Sequence, residues 1–448
     1  MSLSSSDLLH VILALGMLML FAHAVGQAFA ALRQPRVIGE IIGGLLLGPT
    51  VFGVISPDLQ ARVFPAHGAT ASIVGAVSQL GLLLLMYCSG IETRAIFRRG
   101  DERAVSRITL AGTLVPFGLG LLLVQIVNTH SLTGSAHSRM ALVLVFALAI
   151  AVTSVPVISR IMFDLGVLHT SFARVVLGVA IVEDTVVYVV LAVALGLVAA
   201  ASGGEIGIAS AVGLSPGTAA YMAVHTAATL SFFAAMLLLG PRLLRWSVRS
   251  RLAGVWKSNP VAYQLLFLLL ATLACLALGV TAMFGAFLAG IVTSSARGTT
   301  AAAARGAIKD FSFAFFIPVY FAAVGLQLDL VHHFDPLFFL WFTAFACVAK
   351  SLSVYVGSRL AGETHASSTN FAIAMNARGG PGIVLASVAL GAGIINTQFY
   401  ASLILLVIVS SQAAGAWLGR LIRTGRPLRD EPAPIAVLDE ATAAVAGS

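Results

Sequence analysis

Glu183 and Asp184 stand side by side in GVAIVEDTVVYVVLAVAL, residues 178–195. The run is otherwise apolar and long enough to cross a bilayer. A charge at mid-membrane costs about 3 kcal/mol on insertion scales, so ionisable groups there are functional by default. A carboxyl group that holds either a proton or a small cation, but not both, is the element that proton-coupled cation exchange requires. Adjacent helical residues do not face each other, yet both acids reach one crossing region. Lys350, half-way along the apolar run containing FACVAKSLSVY, is their natural partner. Arg378, in AMNARGGPGIVLA (374–386), carries a guanidinium that keeps its proton. Its expected role is structural, through carboxylate or carbonyl contacts.

Two interrupted segments must position these groups. AIAVTSVPVISR (149–160) contains Pro156, which cannot donate to a helix ladder, with Thr153 and Ser154 beside it to bond the freed carbonyls. In the second segment Gly379, Gly380, Pro381 and Gly382 together oppose a continuous helix. Gly/Pro-broken helices in corresponding halves of a chain point to an ion site at the membrane midplane. Asp184, Glu183 and Thr153 are the candidate ion ligands, with Asp184 holding a monovalent cation. Lys350 and Glu183 are the candidate charge-balancing pair. As one coupled site these groups titrate as a set, so cation loading would release the Lys350 proton with that of an acid. The exchange would then move net charge.

Composition requires lipid as the solvent. The 448 residues are 59% hydrophobic and 10% charged, with mean hydropathy +0.99, whereas soluble domains carry about 25% charged residues. The net charge of +8 does not imply nucleic acid, because the bases are scattered through loops and form no face. Cys88, Cys275 and Cys347 sit in apolar runs without metal-ligand spacing and read as small hydrophobes. The N-terminal MSLSSSDLLH lacks the positive start of a signal peptide, so the run to residue 32 reads as a retained first helix.

Runs of about 20 apolar residues mark about thirteen spans. They lie near 8–32, 36–55, 72–92, 104–128, 139–163, 172–200, 217–240, 259–278, 280–296, 307–328, 337–360, 366–391 and 397–420. The even-numbered connections hold only Arg62 and Arg139. Every other base outside the membrane lies in an odd-numbered connection or the tail, which places the N-terminus outside and the C-terminus in the cytoplasm. The halves repeat. VIGEIIGGLLLGP (37–49) resembles MFGAFLAGIVTS (283–294), and LLMYCSGIET (84–93) resembles VYFAAVGLQLD (319–329). Six helices, a linker helix and six more make the repeat inverted, the usual plan of secondary transporters. The expected fold is an all-α membrane protein with two crossed discontinuous helices.

RQPRVIGEIIGGLLLGPT (33–50), AVTSVPVISRIMFDLG (151–166), VEDT (182–185), FFIPVYFAAVGLQLDL (315–330) and NARGG (376–380) together resemble the monovalent cation/proton antiporters. The resemblance is to the bacterial sodium/proton and potassium/proton exchanger branch and covers roughly residues 8 to 420. It implies a dimerisation part (8–100 and 259–328), a linker helix (217–240) and a core (104–200 and 337–420) that moves like an elevator in the bacterial inner membrane. It implies Na+ or K+ and H+ as the partners, a second copy of the chain in a homodimer, and no cofactor. Asp184 matches the ion-carrying aspartate. Lys350 matches a lysine typical of electrogenic members. Glu183 stands where those members have aspartate and others asparagine or glutamine. No nucleotide-sensing domain fits in the short tail, and the Ala/Pro-rich segment 425–448 reads as mobile. GLSPG (213–217) has the nucleophile-elbow pattern but no preceding strand, so a hydrolase is set aside. A sodium-coupled solute symporter would need a larger polar cavity than Thr153, Ser154 and Asn376 supply. His130, His137, His332 and His333 read as solvated loop residues.

Overall fold

The computed structural model describes residues 4–32, 34–92, 101–202, 213–214, 218–249, 258–296 and 298–430. Arg33, Arg94, Arg98, Arg99, Arg251, Lys257 and Arg297, three residues of the GLSPG loop, and 431–448 lie outside them. The helices of ten or more residues in chain order are α1 (Ser5–Ala31), α2 (Arg36–Leu47), α3 (Ala69–Glu92), α4 (Glu102–Leu123), α5 (Arg139–Ala151), α6 (Val155–Asp164), α7 (Ser171–Ser202) and α8 (Ala219–Arg249). The second half holds α9 (Pro260–Ala277), α10 (Ala282–Thr293), α11 (Thr299–Phe311), α12 (Ile317–Leu326), α13 (Pro336–Leu360), α14 (His365–Ala374), α15 (Gly379–Gly391) and α16 (Thr397–Arg423). Side-chain caps set several starts: Ser138, Asn259, Asp335, Thr364 and Asn396 each accept a backbone N–H from the first turn they precede.

Among the described residues eleven helices are long and apolar enough to cross a membrane. This is a multi-pass membrane protein. Two of the expected spans are not among these eleven. The run at 139–163 is split into α5 and α6, and the run at 280–296 yields the 12-residue α10. At 1.5 Å per residue, α5 is only about 20 Å long and cannot cross alone. The span Thr299–Leu326 contains a π-helical turn at Ser312–Phe316 between α11 and α12, which apolar periodicity does not reveal.

The repeat is visible in the packing. α1 lies on α2 as α9 lies on α10, α2 on α12 as α10 on α3, and α4 on α5 as α13 on α14. The paired sequence motifs meet at these crossings. A Cβ on Gly44 would lie 1.9 Å from Ala322 O, and one on Gly325 the same distance from Ile41 O. In the other half a Cβ on Gly290 would lie 2.1 Å from Tyr87 O, and one on Gly90 the same distance from Phe287 O. Only glycine permits such backbone contact, the small-residue packing typical of membrane helices.

The helices sort into two sets. α1, α2, α3, α9, α10 and α12 pack on one another, as do α4–α7 with α13–α16. The segment after α16 is not loose up to residue 430. Leu428 is buried, and Arg429 bonds both oxygens of Glu363 at 2.7–3.2 Å and Asp101 at 2.9 Å. A mobile tail was expected because Ala/Pro-rich composition does not show that two acids 66 and 328 residues away wait for one arginine.

Candidate ion site

The site forms where the two broken helices cross. α5 ends at Ala151, and residues 152–154 run without helical structure until α6 begins at Val155. Pro156 is therefore the second residue of a new helix and does not interrupt an old one. Its missing N–H falls where helix donors have no intrahelical acceptor anyway. The opposite break runs from the end of α14 at Ala374 to Gly379, which opens α15. The breaks are bonded to each other. Ser154 N–H donates to Ala377 O at 2.8 Å, Thr153 Oγ1 to Met375 O at 2.7 Å, and Gly380 N–H to Ser154 Oγ at 3.0 Å. The two hydroxyls thus serve the opposite segment and not the carbonyls of their own helix, because the chains cross at van der Waals distance.

Gly379 makes that distance possible. Its φ is +23°, and a Cβ there would stand 2.2 Å from Val157 Cγ2 and 2.5 Å from Ser154 Oγ. Gly379→Ala is expected to lower stability by about 1–3 kcal/mol through overpacking and strain, with transport falling further as the crossing shifts. Thermal melting in detergent and flux in vesicles check this. Gly391→Ala, where nothing lies within 4 Å of the new methyl, is the matched control.

Helix ends bring fixed partial charges to the crossing. The last carbonyls of α5, at its negative end, are all taken by cations. Arg378 Nε donates to Ala149 O at 3.3 Å, its Nη2 donates to Ile150 O at 3.2 Å, and Lys350 Nζ donates to Ala151 O at 2.6 Å. Arg378 further donates to Ala346 O, Asn376 Oδ1 and, at 3.6 Å, Cys347 Sγ, so its partners are carbonyl-type oxygens and one sulfur, and among the described residues it pairs with no carboxylate. Asn376 in turn donates to Ser351 Oγ at 2.8 Å and Ala372 O at 2.9 Å.

Glu183 and Lys350 are fully buried and joined. Lys350 Nζ lies 2.8 and 2.9 Å from the two Glu183 oxygens and 2.8 Å from Gly112 O. Thr113 Oγ1 donates to Glu183 Oε1 at 3.1 Å. A Cβ on Gly112 would sit 3.3 Å from Glu183 Oε1, so the missing side chain makes room for the pair. Gly112 and Thr113 were not foreseen from sequence, although a glycine followed by a hydroxyl in the middle of an apolar run was the available signal.

Asp184 is 1% exposed, and among the described residues neither carboxylate oxygen accepts a hydrogen bond. The Val155 N–H, at the positive head of α6, acts on it without the geometry of a full bond. Buried polar groups are ordinarily satisfied, and an unpaired carboxylate is among the costliest exceptions. Glu183 is neutralised by Lys350. Asp184 is therefore a buried acid whose carboxylate has no hydrogen-bond partner among the described residues.

The sodium/hydrogen exchanger transmembrane model matches residues 16–424. This chain belongs to the sodium/hydrogen exchanger family. Among its relatives, it is 30% identical over 91% of its own length to K(+)/H(+) antiporter 1 of Saccharomyces cerevisiae, spanning 46% of that protein. It is 26% identical to the Na(+)/H(+) antiporter NhaS4 of Synechocystis, over 87% of this chain and 92% of that one. The fold of this chain is that of the sodium proton antiporter MjNhaP1 from Methanocaldococcus jannaschii, with a TM-score of 0.62, 15% identity, and coverage of 93% and 98% of the two chains.

Proposed function

We propose that this exchanger is a secondary antiporter that moves a monovalent cation, Na+, against protons across the cell membrane. The unpartnered Asp184 carboxylate carries this reading. It lies by the head of the half-helix α6, next to the Glu183–Lys350 ion pair, so one negative charge remains for one cation or one proton. Thr153 stands at the same crossing as a further oxygen ligand. Alternating access is by an elevator movement. α4–α7 and α13–α16 form the moving core, α1–α3 and α9–α12 form the fixed part through which two copies dimerise, and α8 links them. The separate packing of the two helix sets supports that division. The bias of Arg and Lys supports a cytoplasmic C-terminus.

A second reading, K+ in place of Na+, is favoured by the similarity to a K(+)/H(+) antiporter over 91% of the chain. Purified protein in vesicles with a trapped pH dye separates the two. Addition of Na+ is expected to drive proton movement at lower concentration than K+. The reverse order establishes the potassium reading, and no response to either ion overturns antiport.

A further inference from the structure

Tyr188 follows Asp184 by four residues on α7, one helical turn along the same face. It is 1% exposed. Its neighbours belong to the other helix set. The Ser89 side chain on α3 acts on its hydroxyl, and its ring meets Phe287 of α10 edge-on, with centroids 4.8 Å apart and planes at 62°. Phe287 lies at the crossing where α3 and α10 touch backbone to backbone, at Gly90. Tyr188 therefore packs from the helix that holds Asp184 against a close backbone junction of the opposite set.

α3 continues past Ser89 to Glu92, which acts electrostatically on Asp184 and is bound by Lys309 at 2.7 Å. On the topology expected from the Arg and Lys bias the two helices run in opposite senses, with Asp184 in electrostatic reach of Glu92 and Tyr188 in reach of Ser89. On the Glu92 side the Lys309–Glu92 pair is partly exposed, with side chains at 47% and 26%. On the Tyr188 side they are closed by two aromatic rings and a hydroxyl pair.

We propose that Tyr188 is the seal on the external side of Asp184, closing the pathway between the two helix sets through Phe287 and Ser89. This rests on the antiport reading and its orientation. A proton-coupled carrier must keep its acid from contacting both solutions at once, and a buried ring at the moving boundary excludes water for that purpose. The ring supplies the seal, and the hydroxyl pair fixes where along α3 it rests.

The test is passive decay of an imposed pH gradient in vesicles holding the purified protein, with no transported cation present. Tyr188→Ala is expected to speed decay about tenfold by admitting water to Asp184, whereas Tyr188→Phe, which keeps the ring, stays tight. Asp184→Asn added to Tyr188→Ala should restore tightness, because the leak runs through that carboxyl. Tyr188→Leu, closer in volume, replaces Tyr188→Ala if the latter does not fold. Gradients that decay at the wild-type rate in Tyr188→Ala, or a leak that persists with Asp184→Asn, overturn the proposal. The assay needs no exchange activity. Wild-type vesicles that are tight yet unresponsive to Na+ and K+ defeat antiport and leave the seal to be judged by decay alone.

Discussion

Asp184→Asn is expected to reduce cation-driven proton flux to the background of empty vesicles while the protein stays folded. An amide can load no proton and brings no negative charge to balance a cation. The stability side separates this from a structural explanation. Asp184 has no hydrogen-bond partner among the described residues, so no bond is lost on substitution. What goes is a buried carboxyl that the fold does not satisfy, and its removal is neutral or favourable. The variant should therefore melt in detergent at the wild-type temperature or above it. A variant that loses several degrees would show that Asp184 holds helices together. Flux that survives in a well-folded Asp184→Asn would remove it from the carrier role altogether.

Most of the fold was legible because the determining signals are local. Apolar length fixes a span, and clustered Gly and Pro fix a break, so both interrupted helices could be placed from a dozen residues each. The glycine motifs shared by the halves were also visible, but their purpose was not. Gly44 and Gly290 matter because Ala322 O and Tyr87 O press against them, and those neighbours come from distant parts of the chain. The same limit applies to the site. Residue type marked Glu183, Asp184, Lys350 and Arg378 as a set. It could not show that Arg378 and Lys350 close the carbonyl end of α5, since those bonds join residues 199 to 229 positions apart. His332 and His333, expected to be merely solvated, are exposed yet both turn onto Asp329 at 3.1 Å. Desolvation alone would raise the Asp329 pKa, but the His332 backbone N–H and the two imidazoles together hold it below the usual value. Three residues of sequence separation placed that pair within reach, and only the loop geometry decided that it forms.

Lys350→Met is expected to be the most destabilising single change at the site. It removes the counter-charge of Glu183 and leaves Gly112 O and Ala151 O without their donor. Breaking a buried ion pair by deleting one partner costs about 3–5 kcal/mol. Glu183→Gln added to Lys350→Met should recover much of that loss, because no unpaired charge then remains, and melting of the two variants measures the coupling. The same bonds bear on stoichiometry. From residue types alone, the three groups would share their protons and the exchange would move charge. The bonding pattern favours the opposite. An ammonium has three N–H donors, and Lys350 faces three accepting groups: Gly112 O, Ala151 O and the Glu183 carboxylate. A protonated Lys350 therefore has an acceptor for each of its three donors. Glu183, one methylene longer than aspartate, reaches the ammonium with both oxygens and is held there by Thr113. If this pair persists throughout the cycle, the site is singly negative when empty and neutral when Asp184 carries either a cation or a proton. One cation then exchanges for one proton, and an inside-negative potential imposed on the vesicles should leave the wild-type rate unchanged. A rate that rises or falls with the potential would mean that the pair opens during transport and that the Lys350 proton travels with the exchange.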